Sequence, residues 1–324
     1  MVATFQDYVE MVKPKLDDAF KRVLFDLLSG ATSGDTAPLM ASLEAGKKIR
    51  GCLTCMVSEA LGGALESAVP RAISVELIQV ATLIHDDFVD QDTVRRGRPA
   101  VWTVEGARRA VLIGDVIFAS AIKMMSDLSR EDGSAVAHAI TQVSKGALHE
   151  PLDPLALAGE IESGRLSDGL YEKIIRLKTG ILFGTACHLG AISAAANSEL
   201  KEAFYRYGLL IGEAYQIADD VQEVKAHLSK RSIRPEQMMA LTPALLRFAG
   251  GVRPYTIGIL KGERTDLHGR LLEFFGVTAE HMENEIKRQL QAAASIIEKD
   301  FPNNGYSDLA RKAPQDIIRM FNES

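Results

Sequence analysis

The chain has 324 residues, 47% of them apolar and 25% charged, with a formal net charge of −6. That length can bury a sizeable core, and the acidic balance excludes nucleic acid as an expected partner. Three cysteines cannot make a disulfide framework, and no secretory leader pattern precedes them, so a cytoplasmic location is expected.

Helix formers dominate, strand-like alternation is nearly absent, and Pro and Gly are scattered rather than gathered in a linker. The reading is all-α, one helical bundle domain over residues 1–324 around a central substrate cavity. A first helix is expected from Thr4 to Leu28, with a boundary at Pro14, then a loop at Ser29–Gly34. Arg50–Leu61 reads as a helix closed by Gly62-Gly63, and Cys52 and Cys55 within it as small buried residues. Val69–Asp90 reads as one long helix, Arg95–Pro99 as a loop, and Arg108–Leu128 and Ala135–Leu148 as further helices. Pro151-Leu152-Asp153-Pro154 should break the chain. Two long helices are expected from Ser167 onward, and an amphipathic helix over Glu280–Lys299 that ends at Pro302-Asn303-Asn304-Gly305. Thr179–Ser198 carries no formal charge and is long enough to span a bilayer. Its three glycines and its Thr, His, Ser and Asn side chains fit a central bundle helix better, so no transmembrane segment is expected.

The long helix expected over Val69–Asp90 ends in His85-Asp86-Asp87-Phe88-Val89-Asp90, followed by Gln91-Asp92-Thr93-Val94-Arg95-Arg96-Gly97. Asp86 and Asp90 are four residues apart, so a helix stacks them on one face. Stacked carboxylates repel and need a cation. Hard oxygen donors suit Mg²⁺, which keeps waters and is completed by substrate phosphates. Arg95 and Arg96 suit phosphate oxygens. Far downstream, Tyr215-Gln216-Ile217-Ala218-Asp219-Asp220-Val221-Gln222-Glu223 repeats the pattern, with Asp219 and Glu223 again four apart. Two such clusters on otherwise apolar helices point to diphosphate chemistry. His85 faces about 100° away from Asp86, and imidazole is a poor Mg²⁺ ligand, so it is left out of the metal set.

These segments resemble the trans-isoprenyl diphosphate synthases (polyprenyl synthetases). Asp86–Gly97 matches that family's first aspartate-rich motif in full. Tyr215–Glu223 matches the second, except that Glu223 replaces an Asp. Gly46-Lys47-Lys48-Ile49-Arg50, Gly114-Asp115 and Lys178-Thr179 resemble further family marks, in order. The resemblance implies that the chain condenses isopentenyl diphosphate with an allylic prenyl diphosphate, head to tail, as a homodimer. Mg²⁺ would be held by Asp86, Asp87, Asp90, Asp219, Asp220 and Glu223. Asp86, Asp90, Asp219 and Lys178 would be the catalytic set. Arg95 and Lys178 would serve the allylic diphosphate, Lys47, Arg50, Arg96 and Gln79 would hold isopentenyl diphosphate, and Thr179 and Gln216 would also contact substrate. The family's glycine-lysine closing loop after the second motif is missing, and Lys230 or Arg231 is expected to stand in for it.

Ala81 and Thr82, five and four residues before Asp86, are small. Family members that stop at fifteen carbons often carry an aromatic there, so a product of C20 or longer is expected. Ile78, Leu77, Phe118, Met124 and Met125 are candidates for a deeper stop. Two alternatives are weighed. A non-catalytic or regulatory subunit of a hetero-oligomeric prenyl diphosphate synthase should carry degraded motifs, whereas the first motif is whole. A class I terpene cyclase should lack the Lys47, Arg50 and Arg96 set.

Overall fold

The computed structural model describes residues 3–29, 37–44, 46–167, 169–298 and 305–323. The helices are α1 (Phe5–Ser29), α2 (Ala37–Glu44), α3 (Ile49–Ala60), α4 (Leu65–Val89), α5 (Val101–Glu105), α6 (Ala107–Leu128), α7 (Arg130–Ala147), α8 (Pro154–Glu162), α9 (Leu170–Ile175), α10 (Ile181–Ser193), α11 (Ser198–Leu228), α12 (Pro235–Phe248), α13 (Arg253–Leu260), α14 (Arg270–Glu298) and α15 (Gly305–Asn322). A π-helical turn, Arg176–Gly180, joins α9 to α10. A hairpin of β1 (Val94–Arg95) and β2 (Arg98–Pro99) follows α4. The all-α reading stands. The expected loop at Ser29–Gly34, from Gly30 on, and the expected stop at Pro302–Asn304 lie outside the described residues.

Several boundaries differ from the sequence reading, each for a local reason. Thr4 and Asp7 cap the start of α1 reciprocally, through Thr4 N–Asp7 Oδ2 at 3.0 Å and Asp7 N–Thr4 Oγ1 at 3.1 Å. The helix then runs through Pro14 instead of stopping there. The amide missing at Pro14 would have met the Glu10 carbonyl; both residues are exposed, so water can satisfy that group. The helix α7 begins five residues before Ala135, because Ser129 Oγ accepts from Asp132 N (3.0 Å) and donates to Asp132 Oδ2 (2.7 Å). Gly133, inside this helix, is a point of close approach to Ser126. The expected break before α8 is present. Asp153 caps it by accepting from Ala156 N at 2.6 Å, with Pro154 in the first turn.

The chain packs as two compact units. The first comprises Met1–Thr141, Leu182–Gly208 and Ala293–Ser324. Its centre is α3, buried almost throughout, against which α4 and α15 pack; α4 also packs on α6. Gly190 of α10 lets that helix approach the Thr54 carbonyl, where any side chain would come within 2.5 Å. Cys52, Cys55 and Cys187 are free and buried, as expected of small core residues. The C-terminal helix is tied in by Tyr207 Oη donating to the Ala310 carbonyl (2.6 Å) and by Phe5 N donating to Asp316 (2.9 Å). Each fully buried leucine in such a core contributes about 2 kcal/mol.

The second unit comprises Gln142–Ile181 and Leu209–Ala292. Within it α8, α12 and α13 pack together, and a bridge between Ser232 and Asp266 ties two loops through Ile233 N–Thr265 O (2.8 Å) and Leu267 N–Arg231 O (2.9 Å). Among the described residues one helix, α4, is long and apolar enough to cross a membrane by composition, and 61% of that window is buried. It is not the stretch singled out in the sequence. Thr179–Ser198 is divided by the π-turn, the end of α10 at Ser193 and a turn with Ala195 at φ 53°.

Candidate active site

In the first unit the motif acids sit on the last turn of α4. Asp86 is half-buried, and Asp90, just past the helix, is exposed. Asp90 keeps near-helical backbone angles, and its amide donates to the Asp86 carbonyl at 2.8 Å, so the two carboxylates stay in register. A helix C-terminus is the negative end of the macrodipole, where acids are disfavoured and cations favoured. Gln79 and Thr82, both half-buried, share the Asp86 face; Thr82 Oγ1 donates to the Gln79 carbonyl at 2.9 Å. Ala81 does not share it. Five residues back is about 140° round the helix, and Ala81 is fully buried. The expectation that both small residues look along the acid's face therefore holds for Thr82 alone. His85 also points elsewhere, with Nε2 3.1 Å from the Val111 carbonyl on α6 and its ring edge-on to Phe118. Gly114 makes room for that ring.

Asp87 is buried, with the Arg95 guanidinium directly on it; Nε lies 2.7 Å from Asp87 Oδ1. Asp87 therefore fixes an arginine, and its burial and direction set it apart from Asp86 and Asp90. Arg96 and Gly97 form the hairpin's two-residue turn with φ of 54° and 72°. Positive φ at both positions is the type I′ geometry that matches strand twist. For Arg96 that conformation costs about 1 kcal/mol. It lays the guanidinium against Gly46, where a Cβ would fall 2.8 Å from Nη1. The first aspartate motif and the glycine-lysine motif, some fifty residues apart in the chain, thus converge through Arg96.

Lys47 Nζ donates to the Met320 carbonyl in the last turn of α15 (2.6 Å), a favourable place for a cation. Burial pushes its pKa below the usual lysine range. Lys48, at φ 54°, is buried with Nζ 3.6 Å from the Phe20 ring centroid. Burial lowers its pKa too, while Glu76 pulls it back up. Arg50 lies over Phe183, 4.4 Å from the ring centroid. Glu76 was missed in the sequence. It is buried on α4, and its carboxylate accepts from Gly51 N at 2.8 Å, in the first turn of α3. It thereby anchors the segment that carries Lys47 and Arg50. A lone acid inside the apolar run Ala72–Ala81 was the available signal.

In the second unit the π-turn carries Lys178 and Thr179. Such turns recur at functional sites because they turn side chains out of α-helical register. Thr179 Oγ1 donates to Gln216 Oε1 (2.6 Å), Gln216 Nε2 donates to Asp220 Oδ1 (3.0 Å), and Tyr171 Oη donates to Asp220 Oδ2 (2.8 Å). Both Asp220 oxygens are thus engaged. Burial pushes Asp220 up to about 6; Gln216 and Tyr171 oppose that rise, while Asp219 and Glu223 add to it. Asp219 and Glu223 are exposed on the same helix. Partial desolvation of its carboxyl by the packed neighbours raises Glu223 although the residue is exposed as a whole, with His227 and Lys230 opposing and Asp219 adding. Lys230 Nζ lies 3.3 Å from His227 Nε2, and His227 Nδ1 lies 2.9 Å from the Glu223 carbonyl, so Lys230, seven residues past the motif and just beyond α11, is linked back to it through His227. Tyr171 had no local signal, being 49 residues from its partner.

The donors fit Mg²⁺. Asp86 with Asp90, and Asp219 with Glu223, are pairs of hard oxygen ligands at accessible positions. Among the described residues no three His, Cys, Asp or Glu side chains form a closed metal group. An ion held by one or two carboxylates and completed by water and substrate phosphate needs no such cage.

The polyprenyl synthetase family model matches residues 36–231. The chain is 31% identical over 230 residues to a geranylgeranyl diphosphate synthase of Methanosarcina mazei, covering 69% of this chain and 67% of that protein. It is 35% identical over 214 residues to a geranylfarnesyl diphosphate synthase of Aeropyrum pernix, covering 62% and 63%. The match thus spans about two thirds of the length of these curated relatives. A decaprenyl diphosphate synthase from Rhodobacter capsulatus has a similar fold, with a TM-score of 0.75 over 98% of this chain and 99% of that one at 22% identity. Every motif from Gly46 to Glu223 falls inside the matched residues, and the chain belongs to the polyprenyl synthetase family.

Proposed function

We propose that the chain is a Mg²⁺-dependent trans-polyprenyl diphosphate synthase that joins isopentenyl diphosphate to an allylic prenyl diphosphate. The observation that carries this reading is the hairpin after α4. It presents Arg95 on Asp87 and Arg96 against Gly46, so phosphate-binding bases stand directly beside the acids of the first motif. Asp86 and Asp90, and Asp219 and Glu223, would hold Mg²⁺, which when bound stabilises charge on a departing diphosphate. Asp87 and Asp220 act beside them by fixing Arg95 and Gln216. In the first unit Arg95, and in the second Lys178 and Thr179 with Gln216 orienting Thr179, offer donors suited to an allylic diphosphate, and Lys230 adds a further positive charge. Lys47, Arg50, Arg96 and Gln79 hold isopentenyl diphosphate away from the metal-binding acids, so that only the allylic partner ionises. The allylic C1–O bond breaks, C1 joins C4 of isopentenyl diphosphate, and a proton leaves C2 to the released diphosphate.

Thr82 on the acid's face is too small to stop a growing chain, which supports a product of C20 or longer. Leu112 and Val116, exposed one turn apart on α6, support a homodimer, and three reduced, buried cysteines are compatible with the cytoplasm. The test is incubation of the full chain with labelled isopentenyl diphosphate, an allylic diphosphate and Mg²⁺. Label should pass into an acid-labile prenyl diphosphate and stay in isopentenyl diphosphate when EDTA is added. Label that never transfers under either condition contradicts the reading.

A further inference from the structure

The segment that ends α7 is built onto the π-turn by two separate contacts. Gly146 is buried against it so closely that a Cβ there would fall 2.9 Å from both Leu177 Cβ and Lys178 N. One turn later Glu150 Oε1 lies 2.6 Å from Lys178 Nζ. The turn between them is fixed by His149 N donating to the Gly146 carbonyl (2.9 Å) and Glu150 N to the Ala147 carbonyl (3.3 Å). Both side chains of the pair are about a quarter to a third exposed, at 26% for Glu150 and 30% for Lys178. They are neither freely solvated nor closed off.

We propose that Glu150 is the positioning residue and counter-ion of Lys178, and that it sets how tightly the protein grips a diphosphate. The inference rests on the proposed role of Lys178. Glu150 holds the ammonium in one rotamer, above a backbone that Gly146 has already fixed. Its negative charge also offsets the charge that Lys178 offers to phosphate. The ammonium bonded to Glu150 therefore offers a diphosphate only part of its charge and must share its donors, which weakens the grip. A product that still carries a diphosphate can leave for the same reason.

Glu150→Gln separates the two parts, because the amide oxygen still accepts from Nζ while the charge is gone. The expected result is a KM for the allylic diphosphate lowered about 5- to 10-fold, the scale of one nearby charge in a partly solvated site. The KM for isopentenyl diphosphate should stay within 2-fold, and kcat should fall as product release slows. Inorganic pyrophosphate with Mg²⁺, titrated calorimetrically, should bind Glu150→Gln more tightly than wild type by a similar factor. In a Lys178→Ala background Glu150→Gln should change that affinity by less than 2-fold, since the double cycle removes the pair. Unchanged or weaker pyrophosphate binding by Glu150→Gln overturns the proposal, as does an effect of equal size in the Lys178→Ala background. The pyrophosphate arm needs no turnover, so it decides the matter even if the chain proves not to condense prenyl diphosphates.

Discussion

At the scale of single residues, neighbouring carboxylates in one motif differ in their surroundings. Asp87 is held by Arg95, and Asp220 by Tyr171 and Gln216, whereas Asp86 and Asp219 are the proposed metal ligands. Asp86→Asn or Asp219→Asn should lower kcat about 100- to 1,000-fold, the scale of losing one electrostatic stabiliser, with unchanged circular dichroism. Near wild-type turnover at saturating Mg²⁺ would remove either residue from the metal set. For Asp220 the sign is set by its raised pKa of about 6. The folded state holds its proton more tightly than the unfolded chain, so this group favours folding at low pH. That contribution is lost as pH rises through about 6. Asn keeps one of the two acceptors of Asp220, so the sign is read from the pH dependence: in metal-free buffer the stability of Asp220→Asn relative to wild type should rise between pH 5 and pH 7.5 by about 2 kcal/mol. Melting curves with the same difference at both values would refute the burial argument. The sequence made the acids legible because their spacing is local. It could not separate Asp86 from Asp87, since that depends on which side of α4 the hairpin folds back.

At the scale of elements, the sequence located α3, α4 and α6 to within a few residues from apolar periodicity, although none of the three carries a side-chain N-cap. It erred where one residue type can mean two things. Pro14 was read as a boundary, but an exposed proline loses only a solvated bond, and α7 was started at Ala135 although its cap lies at Ser129. The two elements that aim site residues, the Arg96-Gly97 turn and the π-turn at Arg176–Gly180, have no distinct hydrophobic period. Their side-chain directions emerge only from packing, against Gly46 in one case and Gly146 in the other. The face of α4 that carries Gln79, Thr82 and Asp86 leads to a prediction on product length. Thr82→Phe should shorten the product to C15 or less while leaving Ala81, which packs inward, untouched. Chromatography of the dephosphorylated products reads this directly, and an unchanged length would mean that the chain does not grow along this face.

For the whole molecule, family membership and the all-α architecture were legible from five short motifs in order. The homodimer was expected from the resemblance alone, because exposed apolar residues on a surface helix have no separate signal in the sequence. Leu112 and Val116 are 53% and 39% exposed, an arrangement suited to burial against another copy. Sedimentation equilibrium should find a dimer at micromolar concentration, weakened at least 10-fold by Leu112→Glu with Val116→Glu. A stable wild-type monomer would contradict this. The central claim, head-to-tail joining by this chain alone, is tested most directly by mass spectrometry of the dephosphorylated products. The purified chain is incubated with isopentenyl diphosphate, an allylic diphosphate and Mg²⁺. Alcohols rising in five-carbon steps to C20 or beyond are expected; an allylic alcohol recovered only at its starting carbon number would contradict the claim.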